Sequence, residues 1–247
     1  MNVVFLGPTL PAAEAAGLCD AFFLPPARRG DLYRAVEAHH PTTIAVVDGY
    51  FEQVPALWHK EILAALAQGI RVAGAASMGA LRAAELRAFG MIGVGRVFEA
   101  YVEGRFSPFE EPFEADDEVA VAHGPAELGY PATDALVDIR ATLAAAARAG
   151  VLDRTTMLAI AALAKALFYK DRSWPTVLER AAAAGIDTGT LADLRAWLPA
   201  GRVAQKRLDA EALLSRVAEG TLEGAPPAFR FERTLIWESA FAPAAGR

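Results

Sequence analysis

Ser77 is the residue whose surroundings most favour chemistry. It lies in the run Gly74-Ala75-Ala76-Ser77-Met78-Gly79-Ala80, between an apolar strand-like segment and a segment of helical period. Small residues around a serine permit the tight strand-to-helix turn that exposes a nucleophilic hydroxyl. The backbone N–H groups of Met78 and Gly79, at the helix N-terminus, would then face a developing oxyanion. A serine in this place also often does no more than cap the helix, and A-x-S-x-G alone does not separate the two roles.

A serine nucleophile needs a base, and His59 and Lys60 open the helix predicted after the third strand. Either could approach Ser77 from the neighbouring turn, but not both, because adjacent helical residues point about 100° apart. A lysine in an apolar helix loses its proton readily when it is buried, so a Ser77–Lys60 dyad is chemically reasonable. A surface Lys60 that makes only helical pairs is the alternative. The pair His39-His40 is discounted as a base, because it should lie at the wrong end of the sheet. His123 follows a strand-like run and is either a polar group that supports the site or, as we expect, a hydrogen-bonded histidine of the core.

Further polar residues follow the other predicted strands, whose carboxyl ends should meet at one edge of a parallel sheet. Arg28 and Arg29 suit an anionic ligand or a carboxyl-bearing chain terminus, although solvated surface arginines fit the same pattern. Asp48 either orients the base or stabilises its turn. Gly7-Pro8 ends the first strand and would line the same crevice.

Motifs for metal and nucleotide binding are missing from the sequence. The four histidines and the single cysteine, Cys19, have no recognisable ligand spacing, so we expect no metal site. Gly7-Pro8 is not a phosphate loop, and the run Gly90-Met91-Ile92-Gly93-Val94-Gly95 lacks the preceding strand that a dinucleotide fingerprint requires. We therefore expect no cofactor. A module that binds a nucleotide or small anion stays open on the strand-end layout alone.

Up to about residue 100, short apolar runs alternate with alanine-rich segments of helical period. This alternation predicts an α/β fold with a short, mostly parallel sheet and flanking helices, a Rossmann-like core whose strand order is left open. The predicted strands span residues 3–6, 21–24, 43–47 and 71–75.

A helical region follows, and we predict two parts, an α/β core at residues 1–130 and a mostly helical region at residues 131–247. Predicted helices span residues 132–149, 155–169, 174–184, 188–197 and 206–219. Asp153 and Asp187 mark two helix starts. The polar, acidic connection at residues 106–118 is predicted to be a flexible loop or lid, and residues 229–237 a possible strand.

Composition bounds the class of protein. The 247 residues are 54% hydrophobic and 22% charged, as in soluble globular proteins, and a chain of this length buries a sizeable core. With one cysteine and no signal-like N-terminal segment, we expect a cytoplasmic location. No apolar run approaches the roughly 18 residues of a membrane helix, so no membrane span is expected. The net charge of −6 argues against nucleic-acid binding.

Several blocks of sequence within about the first 130 residues are distinctive, whereas the helical remainder is much less so. The blocks are Val4-Phe5-Leu6-Gly7-Pro8-Thr9-Leu10, Pro25-Pro26-Ala27-Arg28-Arg29-Gly30-Asp31, Val47-Asp48-Gly49-Tyr50-Phe51, Trp58-His59-Lys60-Glu61-Ile62-Leu63, the Ser77 run through Leu86, Phe89 to Gly95, Asp116 to Val121 and His123-Gly124-Pro125. Together these blocks closely resemble the TfuA-like family.

This resemblance implies a partner of YcaO enzymes in peptide backbone thioamidation. TfuA-like proteins are associated with hydrolysis of the C-terminal thiocarboxylate of a small ThiS-type sulfur-carrier protein, which releases sulfide for YcaO. The family is described as having a hydrolase-like Ser-Lys pair, and the matching positions are Ser77 and Lys60. The implied partners are a YcaO enzyme, the sulfur carrier and, through YcaO, the peptide that is modified.

An adaptor without catalytic activity is the alternative function. Such a protein would bind YcaO and improve its binding of the peptide substrate, with Ser77 as a helix cap. In that case the substitution Ser77→Ala would leave activity intact, whereas surface substitutions would not.

Overall fold

Five short apolar runs form a parallel sheet in the computed structural model, which describes residues 1–50, 52–124, 133–224 and 229–241. The strand order is β2-β1-β3-β4-β5, and every neighbouring pair is parallel. The α/β class is confirmed, and the four predicted strands agree with the structure to within a residue. The strands are β1 (Asn2–Phe5), β2 (Phe22–Leu24), β3 (Thr43–Val46), β4 (Arg71–Ala75) and β5 (Ile92–Val94).

The edge strand β5 was not predicted, because it lies inside the glycine-rich run at residues 90–95. Gly93 belongs there for a steric reason, since a Cβ on it would lie 2.1 Å from the ring of Phe98. Helix α5 (Arg96–Glu103) follows this strand directly and was not predicted either. A three-residue strand between glycines shows too little periodicity to be read from sequence.

Helices cover both faces of the sheet. Alternate strand residues point to opposite faces, so Val3 and Phe5 face one layer and Val4 faces the other. The first layer holds α2 (Asp31–His39), α3 (His59–Ala67) and α4 (Met78–Leu86). The second holds α1 (Ala12–Ala15) and the C-terminal part of α10 (Gln205–Glu219).

The chain divides into two compact units, residues 1–98 with 209–247 and residues 99–208. This division differs from the predicted boundary at residue 130, because α10 returns to the sheet late in the chain. Its buried residues complete the second layer of the first unit: Ala210, Leu213, Leu214 and Val217.

The second unit is largely helical, as predicted. Asp153 accepts a hydrogen bond from the Thr156 N–H at 2.7 Å, and Asp187 accepts one from the Thr190 N–H at 2.8 Å, so both predicted helix starts are confirmed. Residue 132, where the first predicted helix begins, lies outside the described residues. The helices are α6 (Leu136–Arg148), α7 (Arg154–Lys165), α8 (Trp174–Ala183) and α9 (Thr188–Gly201).

The connection at residues 106–118 is anchored, so its prediction as a flexible loop or lid is wrong. Glu118 and Arg140 are fully buried, and their side chains are joined at 3.0 Å. Arg172 donates to the Asp117 carboxylate at 2.9 Å. Burial raises the pKa of Glu118, although Arg140 and Lys165 oppose the change. The acidic residues of this segment led to the prediction that it is exposed to solvent. Three of its aromatic side chains are buried and anchor it as well: Phe106, Phe109 and Phe113.

The C-terminal stretch contains a helix where a strand was expected. Residues 229–234 are irregular, and α11 (Leu235–Phe241) follows them. The prediction of a strand at residues 229–237 is therefore wrong. Across the described residues, no helix combines the length and apolar character needed to cross a membrane.

Candidate functional site

The turn that carries Ser77 is unusually tight. Ala76 adopts a positive φ of 67°, and the Ser77 N–H donates to the Ala75 carbonyl at 2.7 Å. Such a three-residue γ-turn with a positive central φ is rare and strained for a residue with a Cβ. Ser77 then occupies the N-cap position of α4, at the carboxyl end of β4.

Two glycines allow α4 to begin directly against the sheet. A Cβ on Gly79 would lie 1.8 Å from the Val46 carbonyl oxygen, and one on Gly74 would lie 2.1 Å from the Gly79 carbonyl oxygen. In this close packing the Gly79 N–H donates to the Val47 carbonyl at 3.2 Å. The expectation that Gly79 supplies an oxyanion donor is therefore wrong in this structure, because its N–H group already has an acceptor.

Ser77 is 8% exposed, and its hydroxyl does not cap the helix. Within the described part of the chain, its Oγ has no hydrogen-bond partner and the Met78 N–H has no acceptor. The capping role that the sequence left open is thus not seen. A serine hydroxyl and one adjacent N–H group are left available at the N-terminus of α4.

Asp48, next to this turn, has both carboxylate oxygens engaged. Its Oδ2 accepts from the N–H groups of Gly7 at 2.9 Å and Thr9 at 3.0 Å, and its Oδ1 accepts from the Thr9 hydroxyl at 2.6 Å. Asp48 therefore stabilises a turn, which was one of its two predicted roles, but the turn follows β1. Gly7 and Pro8 build that turn, and a Cβ on Gly7 would lie 2.4 Å from Pro26.

This interaction bears on the anion-binding interpretation. Strand β2 lies on one side of β1, and β3, β4 and β5 follow on the other side, so the strand order reverses between β1 and β3. In open parallel sheets, ligands bind in the crevice at such a point. Here the N–H groups of Gly7 and Thr9 already bind the buried Asp48 carboxylate. The arrangement argues against a nucleotide or a small anion at this crevice.

Carboxylates also occupy the starts of two helices at the same edge of the sheet. Buried Glu61 accepts from the N–H groups of Gly30 at 2.7 Å and Tyr33 at 3.3 Å, at the start of α2. Asp209 accepts from the Val97 N–H at 2.7 Å in the first turn of α5. Among the described residues no carboxylate binds the start of α4 in this way.

Sequence reasoning did not assign roles to Glu61 and Asp209. Glu61 carried a usable signal, since it is a lone carboxylate in the apolar segment that forms α3. Burial raises the pKa of Glu61, although hydrogen bonds from backbone N–H groups lower it. Asp209 carried no such signal, because its partner Val97 lies more than a hundred residues away in the chain.

Lys60 does not contact Ser77 in this structure. Its Nζ donates to the Glu232 carbonyl at 2.9 Å and to Thr234 Oγ1 at 3.0 Å, both in the C-terminal segment. The side chain is half-buried. The predicted Ser77–Lys60 pair is therefore not assembled here, and a catalytic role for Lys60 stays a prediction.

His59 interacts with the far end of α4. Its Nε2 lies 2.8 Å from Glu85 Oε2, and Arg82, three residues before Glu85, donates to the same oxygen at 2.6 Å. Partial burial raises the pKa of Glu85, but hydrogen bonds from His59 and Arg82 outweigh this and hold it below the usual value. Glu85 follows Ser77 by about 12 Å of helix, so these contacts do not present His59 to the serine.

The two arginines after β2 lie on the surface. Arg28 pairs with Asp31 at 3.7 Å, and the Arg29 guanidinium lies 4.9 Å from the centre of the Trp58 ring. His123 is half-buried rather than part of the core, and its Nδ1 lies 2.9 Å from the Gly124 carbonyl.

Two residues quoted for the family resemblance, Phe51 and Pro125, lie outside the described residues. Among those that are described, no three His, Cys, Asp or Glu side chains are grouped as metal ligands.

Comparison with known proteins bears on the family. No curated protein is detectably similar to the chain in sequence. A family model described as TfuA-like protein matches residues 48–173, so the match begins later than expected and extends well into the helical second unit. Because this match spans just over half of the 247 residues, the chain belongs to the TfuA-like protein family, which is associated with thioamidation.

Proposed function

We propose that this protein hydrolyses the C-terminal thiocarboxylate of a ThiS-type sulfur carrier and thereby releases sulfide for YcaO-catalysed peptide thioamidation. Family membership supports the link to thioamidation. The proposal of hydrolysis rests on the Ser77 turn. There the Ser77 hydroxyl does not cap α4, and the adjacent Met78 N–H has no acceptor among the described residues.

The chemistry requires two displacement steps. Ser77 Oγ attacks the carbonyl carbon of the thiocarboxylate, the C–S bond breaks, and hydrosulfide leaves with the proton that the serine hydroxyl gives up. Water then attacks the resulting ester, which frees the carrier as a carboxylate, restores the Ser77 hydroxyl and releases one proton. The Met78 N–H would stabilise the oxyanion in both steps, aided by the positive end of α4.

Proton transfer from Ser77 would be assisted by a base, and Lys60 is our candidate from the family resemblance. Its Nζ would first have to leave Glu232 and Thr234. The exposed Arg28 and Arg29 would attract the carboxyl-bearing end of the carrier. A YcaO enzyme nearby would consume the hydrosulfide before it diffuses away.

The test is sulfide release from a thiocarboxylated ThiS-type carrier by the purified full chain. We expect Ser77→Ala to reduce the rate at least about hundredfold, because it removes the nucleophile. The matched control is Ser215→Ala, which removes an exposed hydroxyl on α10 and should leave the rate unchanged. Mass spectrometry of the carrier checks that sulfur has been replaced by oxygen.

An unchanged rate in Ser77→Ala would refute the hydrolase proposal. The alternative function, an adaptor that binds YcaO and improves peptide binding, would then be favoured. It predicts that Ser77→Ala still lowers the KM of YcaO for its peptide.

A further inference from the structure

The C-terminal segment at residues 229–241 lies on the surface of the first unit and has one buried residue, Trp237, which is 3% exposed. Residues 232–236 are all exposed, and Leu235 and Ile236 are 89% and 65% exposed. The segment is thus attached mainly through Trp237, and its other residues do not belong to the buried core around the sheet.

Trp237 packs against one aromatic residue of α2 and one that directly precedes α3. Its ring meets Tyr33 of α2 edge to face at a centroid distance of 5.6 Å, and it lies 6.0 Å from Trp58, the residue before α3. Phe231 and Phe241 of the segment complete the cluster, at 5.0 Å and 4.5 Å from Trp237. Buried aromatic anchors of this kind dominate the energetics of peptide and protein interfaces.

Lys60 provides the polar part of the attachment. Its Nζ donates to a main-chain carbonyl, that of Glu232, and to the Thr234 hydroxyl, and it lies 5.5 Å from the centre of the Phe231 ring. Among the described residues, no backbone–backbone hydrogen bond joins the segment to the rest of the chain. Phe229 adds one edge-to-face contact with Phe89 at 5.8 Å.

We propose that Tyr33, Trp58 and Lys60 form a binding site for a peptide with a large aromatic side chain, and that residues 229–241, an irregular stretch followed by the short helix α11, occupy this site in cis. The site binds a peptide in the structure itself, through an aromatic pocket and a cation that reads a main-chain carbonyl. Recognition of a main-chain carbonyl does not depend on sequence, so an external peptide with an aromatic anchor offers the same carbonyl and ring contacts, and a hydroxyl two residues after that carbonyl adds the contact of Thr234.

Occupation in cis also sequesters the Lys60 ammonium group. If Lys60 serves as the base for Ser77, a consequence that rests on the proposed function, the segment and the catalytic pair exclude each other. An incoming peptide would then release the base at the moment when it binds.

The test measures binding of a fluorescently labelled synthetic peptide, residues 229–241, to the full chain by anisotropy. We expect Trp237→Ala to bind the peptide at least about tenfold more tightly than the wild type, because its own segment no longer competes. Leu235→Ala is the matched control on the same helix and should bind as weakly as the wild type. Adding Lys60→Met to Trp237→Ala should weaken binding again by about tenfold.

A second measurement needs no variant. Excess peptide added to the wild type should accelerate amide hydrogen exchange in residues 235–241 by displacing them. Equal binding by Trp237→Ala and Leu235→Ala, or unchanged exchange in the wild type, would overturn the proposal. Neither readout involves sulfur chemistry, so a failure here is distinguishable from a failure of the hydrolase proposal.

Discussion

At the scale of single residues, the free hydroxyl of Ser77 has a steric origin. A capping serine accepts a hydrogen bond from the N–H of the second or third helical residue, here Gly79 or Ala80. The Gly79 N–H already donates to Val47, and the Ala80 N–H donates to the Ser77 carbonyl at 3.0 Å. The contact of α4 with the sheet and the tight first turn of the helix together engage both N–H groups on which capping depends.

Gly79→Ala tests that contact. The added methyl group would have to displace the Val46 carbonyl, which is rigid backbone, so we expect the free energy of unfolding to fall by about 3 kcal/mol or more. Urea denaturation measures the change. Gly17→Ala is the control, because a Cβ there meets its nearest neighbour at 3.4 Å. Equal stability of the two variants would contradict the close approach.

Sequence analysis located Ser77 because small residues around a serine suit a tight turn. It could not decide whether the serine caps the helix, since that depends on which N–H groups the sheet has engaged. It named Lys60 as the base, which stays a prediction, but it could not foresee that Lys60 binds Glu232, far along the chain, in this structure. Contacts of that range leave no periodic signal.

At the scale of elements, carboxylates fix the starts of helices at the functional edge of the sheet. Glu61 reaches from α3 to the start of α2, and Asp209 reaches from α10 to the start of α5. Each is an anion placed at a positive helix end, where it replaces solvent or a ligand. Four of the strands could be predicted because each is a short apolar run of residues that are adjacent in sequence. The contacts of Glu61 and Asp209 could not, because they join residues that are far apart in sequence.

Glu61 should make stability depend on pH. Burial raises the folded-state pKa of Glu61 above the ordinary value of 4.5. Between pH 4.5 and that folded-state pKa, the folded protein therefore holds a proton that the unfolded chain has lost. The free energy of unfolding should therefore fall as pH rises from about 4.5 to the folded-state pKa and then stay level.

Glu61→Gln should lack this component, so the difference in stability between the wild type and the variant should change across the window. Denaturation at a series of pH values measures it, with Glu37→Gln, a substitution at an exposed position of α2, as the control. A difference independent of pH would contradict the raised pKa.

At the scale of the whole molecule, α10 makes the first unit discontinuous in sequence. Residues 209–247 belong with residues 1–98, although the second unit lies between them in the chain. Composition suggested a boundary near residue 130, where strands give way to helices. The compact units are defined by which residues pack together, and the packing of α10 against the sheet assigns residues after 208 to the first unit.

Leu213→Ala tests this division. Leu213 is fully buried in the second layer, and its truncation should cost about 3 kcal/mol. Faster amide exchange should appear in β1 and β3 but not in α7 and α8, as hydrogen-exchange mass spectrometry would reveal. Leu208→Ala on the same helix, at a position 51% exposed, should change stability by less than about 0.5 kcal/mol. Faster exchange in α7 and α8 would argue against independent units.

The discontinuous first unit also has a consequence for biosynthesis. During translation, the apolar sheet surface formed by Val4, Ala45 and Ala73 is not covered by α10 until that helix is made, more than a hundred codons after β5. At common elongation rates this delay is on the order of 10 s. The nascent chain therefore exposes to chaperones the part of this sheet face that α10 later covers, while residues 99–208 are still being made. The unit that begins first is completed last.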